Sequence, residues 1–65
     1  MKQNLYCVTM MHKRTHERIS LKVWAQHTDE ATHKVVGAIG GYRGEYEWRG
    51  SGPVYENNQL ISRDI

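Results

Sequence analysis

The sequence contains no phenylalanine, one proline and one cysteine among its 65 residues. A lone cysteine, Cys7, excludes an intramolecular disulfide, and small secreted domains commonly depend on several such cross-links. No apolar run approaches the roughly 20 residues of a membrane-spanning helix or the apolar core of a signal peptide. We therefore expect a cytoplasmic protein that does not act at a membrane.

Charge and length set two further limits. Nine Lys and Arg against seven Asp and Glu leave a formal net charge of +2, well below that of proteins that grip phosphate over their whole surface. A chain of 65 residues buries only about 60% of the surface that its unfolded form exposes. We expect a single small α+β domain over residues 1–65, with one layer of core side chains.

Two stretches near the N-terminus have the pattern of strands. Residues 5–11 are apolar on both faces, which is typical of a central strand. Residues 17–25 carry apolar side chains at every second position: Ile19, Leu21, Val23 and Ala25. This period of two predicts a half-buried strand. Because a short polar stretch, residues 12–16, joins the two, we predict an antiparallel hairpin.

The period changes after residue 28. Apolar side chains then follow the spacing of one helical stripe: Ala31, Val35, Ala38 and Ile39. This stripe predicts a helix over residues 29–39. Thr28 is the expected N-terminal cap, and Gly40 and Gly41 supply the positive φ that commonly ends a helix. The small Gly37 would let the helix approach the sheet closely.

The remaining residues predict one further strand and a terminal hairpin. Residues 45–49 alternate, and the glycines and proline of residues 50–53 are expected to end that strand. Residues 54–55 and 60–61 flank two asparagines, which tolerate left-handed turns. The prediction is an antiparallel sheet of three to four strands with one helix on one face, in the order ββαβ(β). The expected core is Ile19, Leu21, Val23, Ala31, Val35, Ala38, Ile39, Tyr46 and Trp48.

The patterns that resemble catalytic or metal sites lack the geometry their chemistry needs. His12 and His16 have a zinc-binding spacing for a helix but bracket a turn. Cys7 lies in a strand, whereas reactive cysteines favour helix N-termini, so we expect a buried structural thiol. The glycines of residues 37–44 follow a helix instead of preceding one, so helix amides do not face a phosphate. We expect no enzyme, metal site or cofactor.

The outer face of the second strand is the candidate binding surface. The predicted binding residues are Arg18, Lys22, Trp24, Arg43 and Arg49. Trp and Arg are enriched in protein-interface hot spots, which favours a protein partner. The same groups, with Tyr42, also suit phosphate binding and base stacking, so a nucleic-acid-binding module is the alternative.

Three features of this surface stay open at the level of sequence. Trp24 is either exposed or covered by Tyr55 or by a C-terminal strand. Glu45 and Glu47 are expected on the same face, where they would either repel phosphate or pair with Lys22 and Arg18 across strands. An open edge strand could also pair with a second copy of the chain and form a homodimer.

Residues 21–31, Leu-Lys-Val-Trp-Ala-Gln-His-Thr-Asp-Glu-Ala, run from a strand through a short polar cap into a helix. This segment and the order of elements resemble the short early proteins with which some podoviruses bind and inhibit host RNA polymerase. The resemblance implies a hairpin, a helix and a returning strand that act by contact. It also implies that arginines near the sheet meet an acidic partner, with Arg43 and Arg49 the nearest candidates.

On this basis we expect a non-enzymatic accessory protein of a phage or mobile element. It would bind and modulate, as an inhibitor, a host protein of transcription, nucleic-acid processing or defence.

The two binding hypotheses predict different responses to salt. Phosphate binding should weaken as a power of the salt concentration. A protein interface centred on Trp24 should depend less on salt and lose roughly 2 kcal/mol or more of binding free energy on Trp24→Ala. Titrations of the unsubstituted protein and of Trp24→Ala against a captured partner at several salt concentrations measure both effects. A steep salt slope that Trp24→Ala leaves unchanged would contradict the protein interface.

Overall fold

The longest strand lies at the centre of the sheet. The computed structural model describes residues 1–41 and 43–64. Its elements in chain order are β1 (Lys2–His12), β2 (Arg18–Ala25), α1 (Thr28–Ile39), β3 (Tyr46–Pro53), β4 (Tyr55–Glu56), β5 (Gln59–Leu60) and β6 (Ser62–Asp64). The main sheet has the order β2-β1-β3, and β6 also pairs with β1. This antiparallel four-stranded sheet with one helix confirms the predicted α+β fold.

β3 and β6 lie end to end along the same edge of β1. β3 pairs with β1 from His12 to Tyr6, and β6 pairs with Lys2–Asn4. Between them, Leu5 donates its N–H to Ile61 O at 2.8 Å and accepts a bond from Val54 N at 3.0 Å. The chain therefore follows β1 almost continuously, and the β4–β5 hairpin is looped out on the way.

The hairpin forms where two asparagines adjoin. Asn57 and Asn58 have φ values of 52° and 63°, and two successive positive φ angles are the requirement of a type I′ turn. Asparagine adopts this left-handed conformation at lower cost than most residues. The predicted terminal hairpin is confirmed, whereas the β6 strand that follows it was not predicted.

The core lies between α1 and one face of β1. The buried residues are Tyr6, Val8, Met10, Ala25, Ala31 and Val35. The partly buried residues that pack against them are Ile19, Val23, Val36, Ile39 and Tyr46. Six of the nine predicted core residues are thus in or against the core: Ile19, Val23, Ala31, Val35, Ile39 and Tyr46.

The prediction was wrong for Leu21, Ala38 and Trp48. Leu21 is 37% exposed and Trp48 is 50% exposed, and Ala38 is exposed as well. β2 and β3 flank β1, so side chains at their outer edges receive less cover from the helix than those of the central strand. Tyr6, Val8 and Met10 were missed because β1 is apolar on both faces, and its period does not show which face is covered.

β3 also continues through residues that were expected to end it. It runs to Pro53, and a bulge lies where Trp48 pairs with Met10 but Gly50 pairs with Thr9. The extra residue, Arg49, is accommodated by this irregularity. β1 offers a ladder along its whole length, which holds the glycine-rich segment in extended form.

The two ends of α1 differ in how well the sequence predicts them. His27 is the N-cap residue and makes no side-chain cap bond, so the prediction of Thr28 as the cap was wrong. The helix ends at Ile39 with Gly40 as its C-cap residue, and Gly41 has a φ of 82°, which confirms the glycine stop. A Cβ on Gly37 would meet no atom within 4 Å, so close approach to the sheet does not require that glycine.

Glu30 makes the side-chain contacts at the start of the helix. Its carboxylate accepts a bond from Gln26 N at 3.0 Å and lies 3.3 Å from Lys34 Nζ. The Gln26 bond and the Lys34 ammonium lower the pKa of Glu30 below its ordinary value of 4.5. These contacts tie the first turn of α1 to the end of β2.

Substitutions at Met10 and Leu21 should have different effects on stability, because Met10 lies in the core and Leu21 lies at the edge of the sheet. Met10 is fully buried, so Met10→Ala should lower the free energy of unfolding by about 2–5 kcal/mol through lost burial and a cavity. The control Leu21→Ala, on the same face at the edge, should cost about 1 kcal/mol or less. Urea unfolding followed by tryptophan fluorescence measures both, and equal losses would place the core elsewhere.

The Glu30 contacts should make stability depend on pH. Because folding lowers the pKa of Glu30, its ionised form stabilises the fold fully above the unfolded value, and this contribution is lost as pH falls through the folded pKa. Glu30→Gln should therefore lower the melting temperature at pH 7 and flatten its decline in acid. Asp29→Asn, which removes a charge from the same turn, is the control. Thermal unfolding by circular dichroism tests this, and identical acid profiles for the two variants would contradict it.

Candidate functional site

The face of the sheet opposite α1 carries the candidate site. Side chains alternate along a strand, so the odd-numbered residues of β1 point away from the helix-packed core. Four of them, all half-buried, line the centre of this face: Leu5, Cys7, Thr9 and Met11. The register places β2 residues beside them on one side: Trp24, Lys22, Ser20 and Arg18. We call the surface formed by these residues with Glu47, Arg49 and Arg63 the helix-free face.

On the β3 side, this face carries glycines where other strands carry side chains. Gly52 pairs with Cys7 and Gly50 pairs with Thr9. A Cβ at either glycine would meet no atom within 4 Å, so packing within the chain does not require glycine there. Their effect is to leave Cys7 and Thr9 accessible from that side. Cys7 is half-buried, and the expectation of a buried thiol was wrong.

Four of the five predicted binding residues come together on the helix-free face. Arg18, Lys22 and Trp24 project from β2 as the alternation predicts. Arg49 lies across β1 from them, with Nη1 4.0 Å from Glu47 Oε1. Arg43 is exposed in the segment between α1 and β3, outside the sheet. Tyr42 lies outside the described residues.

Trp24 is covered by the C-terminal strand. The guanidinium carbon of Arg63 lies 4.4 Å from the centre of the Trp24 ring. Gln3 fixes that guanidinium, because its Oε1 accepts bonds from Arg63 Nε at 3.2 Å and Nη2 at 3.0 Å. A cation over an indole ring contributes about 0.5–1 kcal/mol at an exposed site. Trp24 is thus half-buried, and Tyr55, the other candidate cover, is exposed.

The helix-free face is electropositive. Its cations are Arg18, Lys22, Arg49 and Arg63, and Glu47 is its carboxylate. The predicted pairing of Glu45 and Glu47 with Lys22 and Arg18 was wrong. β1 separates β3 from β2, so Glu47 lies near Arg49, and Glu45 lies 3.9 Å from His12 Nε2.

Arg63 is the member of this face that the sequence pattern missed. It lies in a three-residue polar strand, Ser62–Asp64, whose period is too short to signal a strand. The one available signal was the pair of residues Leu60 and Ile61, which show that the chain returns to the sheet after the hairpin.

A concave region lies at the end of the sheet, apart from the helix-free face. It has a volume of about 270 Å³ and is lined by His12, Lys13, Arg14, Gly44 and Glu45. His12 Nδ1 accepts the backbone N–H groups of Arg14 at 3.1 Å and Thr15 at 3.2 Å. This nitrogen is therefore used by the turn. Within the described residues, no three His, Cys, Asp or Glu side chains are grouped as metal ligands.

Comparison of the chain with models of protein families, with curated proteins and with solved structures finds no match. The resemblance to podovirus polymerase inhibitors stays a prediction. Over residues 1–41 and 43–64, no helix combines the length and apolar character that crossing a membrane requires.

Proposed function

We propose that this chain is a non-enzymatic binding module that docks its helix-free face on an acidic surface of a partner protein and modulates that partner. The observation that carries the proposal is the half-buried apolar strip of β1, Leu5, Cys7 and Met11, with cations on both sides. Protein interfaces commonly combine an apolar centre with a polar rim. Opposite charge on the partner would orient it and speed its association.

The contact of Arg63 with the Trp24 ring favours a protein partner over nucleic acid. Single-stranded nucleic acids bind by stacking bases on open aromatic rings. Trp24 is the aromatic side chain that the described strands place on the helix-free face, and Arg63 covers one side of its ring. Trp48 pairs with Met10 on the helix side, where its Nε1 donates to Ser51 Oγ at 2.8 Å. Arg63 therefore already occupies a stacking position that a base would need on the face that carries the cations.

The identity of the partner rests on the sequence resemblance. It implies a host protein of transcription, nucleic-acid processing or defence, with RNA polymerase the first candidate, and an inhibitory effect in the cytoplasm. The acidic surface that the helix-free face requires is the physical criterion for choosing among such targets.

Charge reversal on the face tests the proposal. Tagged protein is incubated with host lysate, with and without nuclease, and the captured protein is identified and titrated. We expect one stoichiometric protein that survives nuclease treatment. Lys22→Glu should weaken its binding about tenfold or more, equivalent to about 1.4 kcal/mol.

Arg43→Glu is the matched control, because it makes the same change in net charge outside the sheet. It should change the affinity by about twofold or less. Equal losses for Lys22→Glu and Arg43→Glu would mean that binding follows net charge and would contradict docking by this face. Diverse material that disappears with nuclease would instead support the nucleic-acid-binding alternative.

A further inference from the structure

The outer edge of β2 carries backbone groups that face away from the sheet. Leu5 directs its N–H and C=O to Ile61 and Val54, on the β3 and β6 side of β1. Leu5 and Trp24 are therefore a non-hydrogen-bonded pair, in which the N–H and C=O of Trp24 point outward from β2. At the other end of the two strands, His12 N donates to Glu17 O at 2.8 Å, so His12 and Glu17 are a hydrogen-bonded pair. The neighbouring pair, Met11 and Arg18, is therefore a non-hydrogen-bonded pair like Leu5 and Trp24. By alternation, the backbone groups of Arg18, Ser20 and Lys22 also point outward.

This edge lacks three of the features that usually prevent pairing with another strand, namely prolines, bulges and a covering strand or helix. It does carry a fourth, charged side chains, because Arg18 and Lys22 project from β2 on the helix-free face. β2 contains no proline, and its register with β1 is regular over all eight residues. No described strand pairs with its outer edge. Lys34 Nζ donates to Trp24 O at 2.9 Å, which occupies one acceptor at one end.

The helix side of the sheet is incompletely covered beside this edge. Leu21 belongs to the same row as Ile19 and Val23, which pack against the core, yet it is 37% exposed. The Lys34–Trp24 bond shows which side of α1 lies above β2. One turn further along that side, Gly37 and Ala38 are exposed. Leu21 therefore has apolar surface that the side chain of a second strand can cover.

The sequence of β2 is complementary to itself in one register. A two-fold antiparallel pairing centred on Leu21 sets Leu21 opposite Leu21 of the second copy, and Ile19 opposite Val23. On the helix-free face it sets Ser20 opposite Lys22 and Arg18 opposite Trp24, so no two cations of the β2 strands are directly opposed. A centre at Lys22 gives equal overlap but sets Lys22 opposite Lys22, which like-charge repulsion disfavours.

We propose that β2 is a dimerisation edge, and that the chain forms a two-fold homodimer through antiparallel pairing of β2 with β2 of a second copy, centred on Leu21. The four outward-facing residues of each strand would exchange about eight backbone hydrogen bonds. Leu21 occupies a non-hydrogen-bonded position, where the opposing side chains come closest. The two sheets then form one continuous sheet with both helices on the same side.

The mass of the protein in solution tests the dimer directly. In sedimentation equilibrium, the average mass should rise from 7.6 kDa toward twice that value as the concentration increases from micromolar to millimolar. Leu21→Lys should raise the dimer dissociation constant at least tenfold, because two ammonium groups would meet at the centre. Leu60→Lys is the matched control, since Leu60 is 38% exposed against 37% for Leu21 but lies on the hairpin. Mixing Leu21→Lys with Leu21→Glu should restore association.

The register is tested by cross-linking single cysteines. In a Cys7→Ser background, Leu21→Cys should form an intermolecular disulfide at least tenfold faster than Ser20→Cys or Lys22→Cys. Opposed residues at a non-hydrogen-bonded position lie about 4.5 Å apart at Cα, within the range that a disulfide spans.

Two results would overturn the proposal. One is a mass of 7.6 kDa at millimolar concentration, and the other is faster cross-linking through Lys22→Cys than through Leu21→Cys. Neither depends on the proposed function, because Leu21 lies on the opposite side of the sheet from the helix-free face. A monomer that still captures its partner would overturn the dimer alone.

Discussion

The pairing of β1 on both of its edges is the constraint on which the rest of the structure depends. In a chain of 65 residues, one strand supplies the ladder for β2, β3 and β6 and the buried side chains Tyr6, Val8 and Met10. α1 packs on one of its faces, so the apolar side chains of the other face are left without a second layer. A single central strand thereby produces both the core and the candidate binding surface.

Local patterns predicted the elements better than they predicted the neighbours of each element. The period of β2, the stripe of α1 and the paired asparagines of the hairpin each reflect interactions between residues close in sequence. The exposure of Leu21 depends instead on β2 being an edge strand, which its own alternation does not show. The cover over Trp24 comes from Arg63, which is 39 positions away in the chain, and no period links them. Strand alternation likewise could not place Arg43, because it lies between α1 and β3, whereas the other four predicted binding residues lie in strands and share a face.

The two surfaces that matter for interaction have different physical origins. The helix-free face is exposed because the chain has too few elements to cover both sides of its sheet. The edge of β2 is exposed because every sheet that does not close has two ends. The Arg63–Trp24 contact ties the C-terminal strand to the first of these surfaces. The second surface pairs through backbone groups, and its side chains select the register of that pairing.

The looped-out hairpin makes the edge beside β1 tolerant of changes in chain length. Val54 and Ile61 both bond to Leu5, and Ile61 N lies 3.3 Å from Val54 O, so the six residues between them leave and rejoin the sheet at nearly one point. Extra residues inserted at the Asn57–Asn58 turn would lengthen the protrusion without shifting the register of β3 or β6. This site could therefore carry a fluorophore or an affinity handle while both faces of the sheet keep their side chains in place.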